Sequence, residues 1–216
     1  MLLLALDTAT SAVTVALHDD TGVLAESTVV DARRHGELLA PGIAAVLAGA
    51  ECTARDLTAV AVGVGPGPFT GLRVGIVTAV TLGAALGIPV HGVCSLDVLA
   101  AEPPLDGPCA VATDARRREV YWARYDADGR RLGDPAVGRP VDVAPVLAGL
   151  PVRGDGPSRY PDAFPVAAEP SVVSAAALAR LAAGALAGRG ELLPPRPLYL
   201  RRPYAAPPSG RKRVLT

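Results

Sequence analysis

The sequence is poor in lysine, in aromatic residues and in cysteine. Lys212 is the only lysine, and aromatic side chains make up 4% of the 216 residues. The basic and acidic residues number 21 each, so the net charge is +0. Proteins that bind nucleic acid on their own need an excess of positive charge, and this balance argues against that class. The three cysteines at positions 52, 94 and 109 form no CxxC pair, so we predict buried thiols in a reducing compartment.

The sequence also has little that resembles a targeting or membrane segment. The start, MLLLALDTAT, lacks a basic segment and reaches Asp7 too early for a signal peptide. Residues 74–96 carry no Asp, Glu, Lys or Arg, which is the length of a membrane span. Gly87-Ile88-Pro89 interrupts this stretch in the manner of a helix end followed by a new element. We therefore predict a buried helix and a buried strand in a cytoplasmic protein with no membrane partner.

The first hundred residues predict alternating strands and helices. Apolar runs separated by turn residues indicate strands, and leucine at helical spacing indicates helices. Pro41 falls inside the first helical pattern, so that helix should start near the proline or bend there. The predicted strands are 2–9, 12–17, 23–30, 57–64 and 89–93, and the predicted helices are 35–48 and 70–86.

The second half repeats the opening of the first. Strands are predicted at 109–113 and 119–125, with helices at 143–150 and 174–187. Asp7 lies fifteen residues before Gly22, and Asp114 lies fifteen residues before Gly129, with a hairpin between each pair. Asp19 and Asp126 take equivalent places before the two turn glycines. The pattern predicts an internal duplication in which Asp7 and Asp114 end corresponding strands and face a shared cleft.

Two segments have residues suited to binding an anion. Asp7-Thr8-Ala9-Thr10 follows the first strand and could hold a metal-bound phosphate, although its hydroxyls could equally stabilise a tight turn. The segment from Gly65 to Gly75, GPGPFTGLRVG, joins a buried strand to a helix N-terminus, where free amides favour an anion. It matches neither the Rossmann fingerprint nor the P-loop. A tight packing corner is the alternative, and chemistry alone does not decide between them.

Five motifs together resemble the bacterial TsaB (YeaZ) family. They are DTATS near the N-terminus, HGELLAPGI, GVGPGPFTGLRVG, DARRREVY and the late PRPLYLRRP, and they cover nearly the whole chain in order. The resemblance implies an α/β fold of the duplicated actin, Hsp70 and sugar-kinase type, which is ribonuclease-H-like, with a reduced second lobe. We expect an N-terminal lobe at 1–100, a C-terminal lobe at 101–202 and a Pro-rich basic tail at 203–216.

The resemblance also implies partners. In that family TsaB pairs with the catalytic paralogue TsaD, and with the ATPase TsaE they place a threonylcarbamoyl group on the adenosine beside the tRNA anticodon. We therefore expect pairing through the two first-lobe helices, a homodimer when the chain is alone, and tRNA contact only through the complex. The expected interface residues are His35, Leu38 and Leu39 on the first helix and Leu72, Gly75, Ala79 and Gly83 on the second. The last three are small residues spaced four positions apart. Those small residues could instead pack on the chain's own sheet.

The same resemblance separates this chain from the catalytic paralogue. TsaD-like subunits carry an H-x-x-x-H pair that binds their metal, and Ser95 and Leu99 stand at the two matching positions here. Neither can replace an imidazole ligand. We expect no catalytic residue, no metal site and no firmly bound cofactor, with ATP or ADP and Mg²⁺ entering only at the level of the complex. Asp7, Thr8 and Asp114 are the candidates for a nucleotide cleft, and Gly65, Gly67, Phe69, Thr70 and Gly71 for a structural loop.

Two other classes of function remain as alternatives. An ATPase or phosphotransferase of the same superfamily would use Asp7 and Asp114 around magnesium-ATP, although the short second lobe argues against it. A peptidase is disfavoured, since the sequence has no zinc motif, no GxSxG and no convincing Ser/His/Asp set.

Overall fold

The computed structural model describes residues 1–101 and 106–201. The predicted tail at 203–216 lies outside these residues.

The first sheet has five strands in the order β3-β2-β1-β4-β5. Its central strand β1 pairs antiparallel with β2 and parallel with β4. Both β1 and β4 are continuous apolar runs, and they are buried along their whole length because helices cover both faces of the sheet. The strands are β1 (Leu3–Asp7), β2 (Ala12–His18), β3 (Val23–Val30), β4 (Ala59–Gly63) and β5 (Val90–Val93).

Two long helices cover one face of this sheet. Helix α1 (His35–Gly49) runs through Pro41, so the prediction of a start near the proline is wrong. A short 3-10 turn at Ala54–Asp56 leads into β4. Helix α2 (Phe69–Leu86) ends at Gly87, whose φ of 67° forms a left-handed cap that glycine adopts without strain. By length and composition α2 could cross a membrane, but it packs on β4 and β1, as the sequence predicts for a core helix.

The other face of the first sheet is covered by elements distant in sequence. Helix α3 (Ser95–Ala101) follows β5, and helix α6 (Ala175–Leu186) returns from the far end of the chain. Ser174 caps α6 by accepting a hydrogen bond of 3.2 Å from the Ala177 amide. One apolar cluster joins Leu3 and Ala61 of the first sheet to Leu178 of α6 and Val111 of the second sheet.

The second sheet is smaller, with four strands in the order β8-β7-β6-β9. These are β6 (Cys109–Asp114), β7 (Val120–Tyr125), β8 (Ala136–Gly138) and β9 (Val152–Arg153), accompanied by the short helices α4 (Pro140–Val143) and α5 (Gly156–Arg159). The predicted helix at 143–150 is wrong: α4 ends where that helix was expected to begin. Pro145 lacks the amide that a continuing helix needs, and Gly149 has a φ of 77°.

The two sheets confirm the internal duplication. In each, a central strand ending in aspartate pairs antiparallel with the next strand and parallel with a later one. Asp19 accepts a hydrogen bond of 3.0 Å from the Gly22 amide, and Asp126 accepts one of 2.9 Å from the Arg130 amide. The same residue type therefore closes the equivalent turn in both halves. The chain has the duplicated α/β fold of actin-like type with a reduced second sheet, as predicted.

Three side chains of the second half of the chain bind α3 through polar contacts. Asp97 of α3 accepts a hydrogen bond of 2.8 Å from the Tyr125 hydroxyl and pairs with Arg131 at 2.6 Å. Arg153 of β9 is fully buried, and its guanidinium donates to the carbonyls of Leu99 and Ala100 at 3.1 and 2.6 Å. Carbonyls at a helix C-terminus lack partners within the helix, so a cation there is well placed.

Candidate functional site

Asp7 ends β1 inside the protein, with none of its surface exposed. Its Oδ1 accepts a hydrogen bond of 2.6 Å from the Ala9 amide, and its Oδ2 accepts one of 2.5 Å from the Ser95 hydroxyl. Burial raises the pKa of Asp7 from 3.8 to about 6, and the bonds from Ser95 and Ala9 and the nearby His35 only partly oppose that rise. Gly63 has no side chain because a Cβ there would overlap Oδ2. Asp7 therefore lies where β1, β4 and α3 pack closely together.

Thr8 is equally buried and joins β1 to α2. Its hydroxyl donates a hydrogen bond of 2.7 Å to the Gly71 carbonyl and accepts one of 2.9 Å from the Gly75 amide. A Cβ at Gly75 would lie 2.5 Å from that hydroxyl oxygen, which is too close. Both hydrogen-bonding directions of the Thr8 side chain are therefore used within the fold.

Asp114 occupies the equivalent strand end in the second sheet, but its surroundings differ. Its side chain is 14% exposed and lies 3.5 Å from a guanidinium nitrogen of Arg116 and 3.8 Å from one of Arg159. The cavity beside it measures about 20 Å³, room for about one water molecule. The turn after β1 and the end of β6 both line this cavity, but of the three predicted cleft residues only Asp114 faces it, because the side chains of Asp7 and Thr8 are buried in the interior.

The two aspartates nevertheless keep one local contact in common. The Ala9 amide donates to Asp7, and the Arg116 amide donates to Asp114 at 2.9 Å, so each carboxylate binds the amide two residues later. Their second oxygens differ, because Asp7 binds a hydroxyl and Asp114 faces arginines. The duplicated turn is retained while its surroundings have diverged. Asp7 and Asp114 therefore do not form a pair of exposed carboxylates.

The loop after β4 is a tight packing corner. A Cβ at Gly67 would lie 2.3 Å from the Ala9 carbonyl oxygen, and one at Gly71 would lie 2.5 Å from that of Thr8. Gly65 has a φ of 90°, and its carbonyl accepts a hydrogen bond of 2.8 Å from the Ser95 amide. Phe69 and Thr70, predicted with this loop, are instead exposed at the start of α2.

The stripe of small residues on α2 packs on the chain's own sheet. Ala79 is fully buried, and a Cβ at Gly83 would lie 2.2 Å from the Val90 side chain. Leu39 and Leu72 are 1% and 0% exposed, so they are core residues as well. The expectation that Leu39, Leu72, Gly75, Ala79 and Gly83 face a partner is wrong, because helices need small residues wherever they approach a neighbour closely.

The remaining predicted interface residues lie at the start of α1. His35 is half-buried, and its Nε2 lies 2.8 Å from the Thr10 carbonyl oxygen, which ties α1 to the β1–β2 turn. Leu38 is also half-buried and packs against the core beneath α1. Both side chains stabilise the first lobe, and each keeps part of its surface accessible.

Two larger cavities open beside Pro68 and Arg116. One of about 430 Å³ lies between the starts of α1 and α2 and includes His35 and Thr70. The other measures about 400 Å³. Its walls combine aromatic side chains with arginines, namely Phe69, Tyr121, Tyr199, Arg116, Arg117 and Arg201. Of these six residues, the sequence predicts only Phe69 as a candidate. The available signal was that a chain with few aromatic residues places three of them, with arginine neighbours, in its most distinctive motifs.

Metal-ligating side chains do not gather in the described part of the chain. Across residues 1–101 and 106–201, no three His, Cys, Asp or Glu side chains lie close enough together to hold a metal ion. Ser95 and Leu99, at the positions that match the paralogue's histidines, are 1% and 0% exposed on α3. Ser95 binds Asp7, and Leu99 packs in the core shared by both sheets.

Comparison with known families gives one matching model over residues 19–205. Its description is TsaD, tRNA N6-adenosine threonylcarbamoyltransferase. An uncharacterized protein of Mycobacterium tuberculosis is 50% identical over 206 residues, covering 94% of this chain and 93% of the relative. The tRNA threonylcarbamoyladenosine biosynthesis protein TsaB of Escherichia coli is 39% identical over 131 residues, covering 59% of this chain and 56% of the relative.

A solved structure extends the similarity to the whole fold. YeaZ from Pseudomonas aeruginosa is 35% identical and has a TM-score of 0.79, covering 92% of this chain and 99% of that one.

Proposed function

Because the chain belongs to the TsaB (YeaZ) family, we propose that it is a non-catalytic subunit in the synthesis of threonylcarbamoyladenosine on tRNA. It would work beside a TsaD-like transferase and a TsaE-like ATPase. The similarity to the threonylcarbamoyladenosine biosynthesis protein of Escherichia coli supports the pathway, and the extent of the match to YeaZ supports the same role for the whole chain. We propose a cytoplasmic location as well, because a subunit in this pathway acts where its tRNA is.

The observation that supports the non-catalytic role is that Ser95 and Leu99 are buried in the fold. A metal ligand must direct a lone pair into an accessible site, and neither of these side chains does so. The Ser95 hydroxyl donates a hydrogen bond to Asp7 and accepts one of 3.1 Å from the Gly65 amide, while Leu99 is enclosed by apolar neighbours. Positions at which the transferase holds its metal serve here to assemble the fold, so the transfer chemistry belongs to the partner.

The pairing surface is the side of α1 and α2 that points away from the first sheet. Both helices rest on the same face of the sheet, and their opposite sides are apolar yet exposed. Val77 and Val80 are 56% and 43% exposed. We call this surface the α1–α2 outer face, and it consists of Ala40, Ala44, Val77, Val80 and Ala84.

The α1–α2 outer face has the character of a pairing surface rather than of a ligand site. Its five residues have short apolar side chains, so two such helix pairs could approach closely, while the exposed Glu37 and Arg73 lie nearer the starts of the two helices. A stable interface buries about 800 Å² per partner, which two adjacent helices can supply. The same surface would join two copies of this chain when the partner is missing, because isologous dimers are the commonest oligomers.

Reconstitution with purified components tests the proposal. The chain alone, supplied with tRNA and threonylcarbamoyl-adenylate, should give no modified nucleoside, and adding the transferase, the ATPase, ATP and Mg²⁺ should give it. Omitting only this chain from the full mixture should lower the yield by at least tenfold. Modification by this chain alone would overturn the non-catalytic role, and an unchanged yield without it would overturn its membership of the complex.

A further inference from the structure

Of the two cavities beside Pro68, the one lined by aromatic side chains and arginines is a pocket that the proposed subunit role does not use. We call it the aromatic–arginine pocket, and its volume of about 400 Å³ lies in the range of small-ligand sites. The start of α2, the β6–β7 turn and the last described residues of the chain contribute its walls. Its key side chains are Phe69, Tyr199, Arg116, Arg117 and Arg201.

The aromatic wall is ordered and open at the same time. The rings of Phe69 and Tyr199 stack with centroids 5.5 Å apart and planes inclined by 23°. The guanidinium of Arg73 lies over Phe69, 5.0 Å from the ring centroid. Both rings are about half exposed, at 55% and 46%. Such a preset stack offers a flat surface on which another aromatic ring gains stacking energy without further ordering of the protein.

Positive charge on the opposite wall is only partly neutralised. Arg201 pairs with Glu119 and donates to the Arg116 carbonyl at 3.2 Å, while Arg116 faces Asp114. Arg117 makes no ion pair within the described residues. Burial lowers the pKa of Arg201, and the nearby positive charge of Arg117 lowers it further. Two guanidinium groups that repel each other in this way favour an anion between them.

The backbone that carries these arginines is unusual. Residues Arg116, Arg117 and Arg118 have φ angles of 60°, 55° and 60°, so three successive side-chain-bearing residues are left-handed. Each is less favourable than the right-handed conformation for a residue with a side chain. Glycine or asparagine would form this turn more easily, and strain of this kind is concentrated at ligand sites.

We propose that the aromatic–arginine pocket binds a nucleotide, with its base against Phe69 and Tyr199 and its phosphate at Arg117 and Arg201. The pairing of a π surface with guanidinium groups a short distance away matches the base and phosphate of one nucleotide unit. A free mononucleotide and an unpaired nucleotide of an RNA strand share this chemistry. The site requires no partner subunit, so its test is independent of the proposed role in tRNA modification.

Two variants of the full chain test the two halves of the pocket. Phe69→Leu removes the stacking surface at an exposed helix start, and Arg117→Asn removes one charge while keeping a residue that tolerates a positive φ. Arg124→Gln is the matched control, because Arg124 is an exposed arginine on β7 whose side chain alternates to the other side of the strand from Tyr121. Circular dichroism and the melting temperature confirm that each variant is folded.

Binding is measured by calorimetry with AMP and by fluorescence anisotropy with a short, unstructured, labelled RNA strand. We expect each pocket variant to weaken binding about tenfold, and the control to stay within about twofold of the wild type. For the RNA strand, Arg117→Asn should lower the slope of log affinity against log salt concentration by about 0.7.

The outcomes separate the two sources of nucleotide and can refute the site. Variant-sensitive binding of AMP supports a site for free nucleotides, and variant-sensitive binding of RNA alone supports a site for a strand. The proposal is overturned if neither probe binds at millimolar concentration. It is also overturned if Phe69→Leu and Arg117→Asn bind like the wild type, or if Arg124→Gln loses as much affinity as they do.

Discussion

Ser95 donates a hydrogen bond of 2.5 Å to Asp7, joining the start of α3 to the end of β1 across 88 positions of sequence. The bond is fully buried, and it fixes the corner at which β1, β4 and α3 meet. A carboxylate held there without a cation is costly to ionise, which gives the protein a measurable dependence on pH.

Relative to the wild type, the Asp7→Asn protein should gain free energy of unfolding as the pH rises. Folding raises the pKa of Asp7 to about 6 from 3.8, so the folded state binds more protons than the unfolded state between these values. The free energy of unfolding of the wild type, relative to Asp7→Asn, should fall by about 2 kcal/mol between about pH 4.5 and about pH 7.5. Urea unfolding of both proteins across this range measures the difference.

Ser95→Ala provides the control for that titration. The Ser95 hydroxyl bond lowers the pKa of Asp7, so its loss should move the fall in stability to higher pH. A difference between the wild type and Asp7→Asn that stays constant with pH would show that Asp7 does not titrate in this range.

Ala79→Trp should destabilise the fold rather than affect pairing selectively. Ala79 is fully buried between α2 and the first sheet, and overpacking such a site costs about 1–3 kcal/mol or more. Val80→Trp, one position further along, places the same ring on the exposed side and should cost about 0.5 kcal/mol or less. Thermal and urea unfolding compare the two, and equal stability would place the stripe of small residues at the surface.

Val80→Arg should separate pairing from folding. Its side chain is 43% exposed on the α1–α2 outer face, so the isolated protein tolerates the arginine, but an interface would have to bury the charge. We expect at least about a tenfold loss of affinity for the transferase partner, measured by co-elution and calorimetry. Leu24→Arg on β3 starts from a similar exposure of 42% and should pair normally. Wild-type affinity of the Val80→Arg protein would place the interface elsewhere.

Tyr125→Phe should weaken the connection between the two halves of the fold. The hydroxyl is buried and donates to Asp97, so its loss should cost about 1–2 kcal/mol in the free energy of unfolding. Arg139→Ala breaks an exposed ion pair with Asp142 and should cost about 0.5 kcal/mol or less. A Tyr125→Phe protein as stable as the wild type would show that the bond to Asp97 contributes nothing net.

The sequence was sufficient for the first sheet and its two long helices because each has a strong, local pattern. β1 and β4 are uninterrupted apolar runs, and α2 ends at a glycine followed by a proline two residues later. The duplication was also predictable, since Asp19 and Asp126 act within their own turns. The strands β8 and β9 have three and two residues, too few for any periodicity to show.

The environment of the candidate residues could not be predicted in the same way. A small residue at every fourth position suits packing on the chain's own sheet and packing on a partner equally, and only the position of Val90 shows which applies to Gly83. The burial of Asp7 depends on Ser95, which is distant in sequence. The aromatic–arginine pocket depends on Tyr199 reaching Phe69 from the other end of the chain.

The position of α6 has a consequence for synthesis on the ribosome. Its residues cover β1 and β2, yet α6 is made long after these two strands. Until residues 175–186 leave the exit tunnel, one face of the first sheet remains uncovered by its final helix. The nascent chain therefore exposes apolar strands until α6 has been made, and a truncated product that ends before α6 should be a substrate for chaperones or proteases.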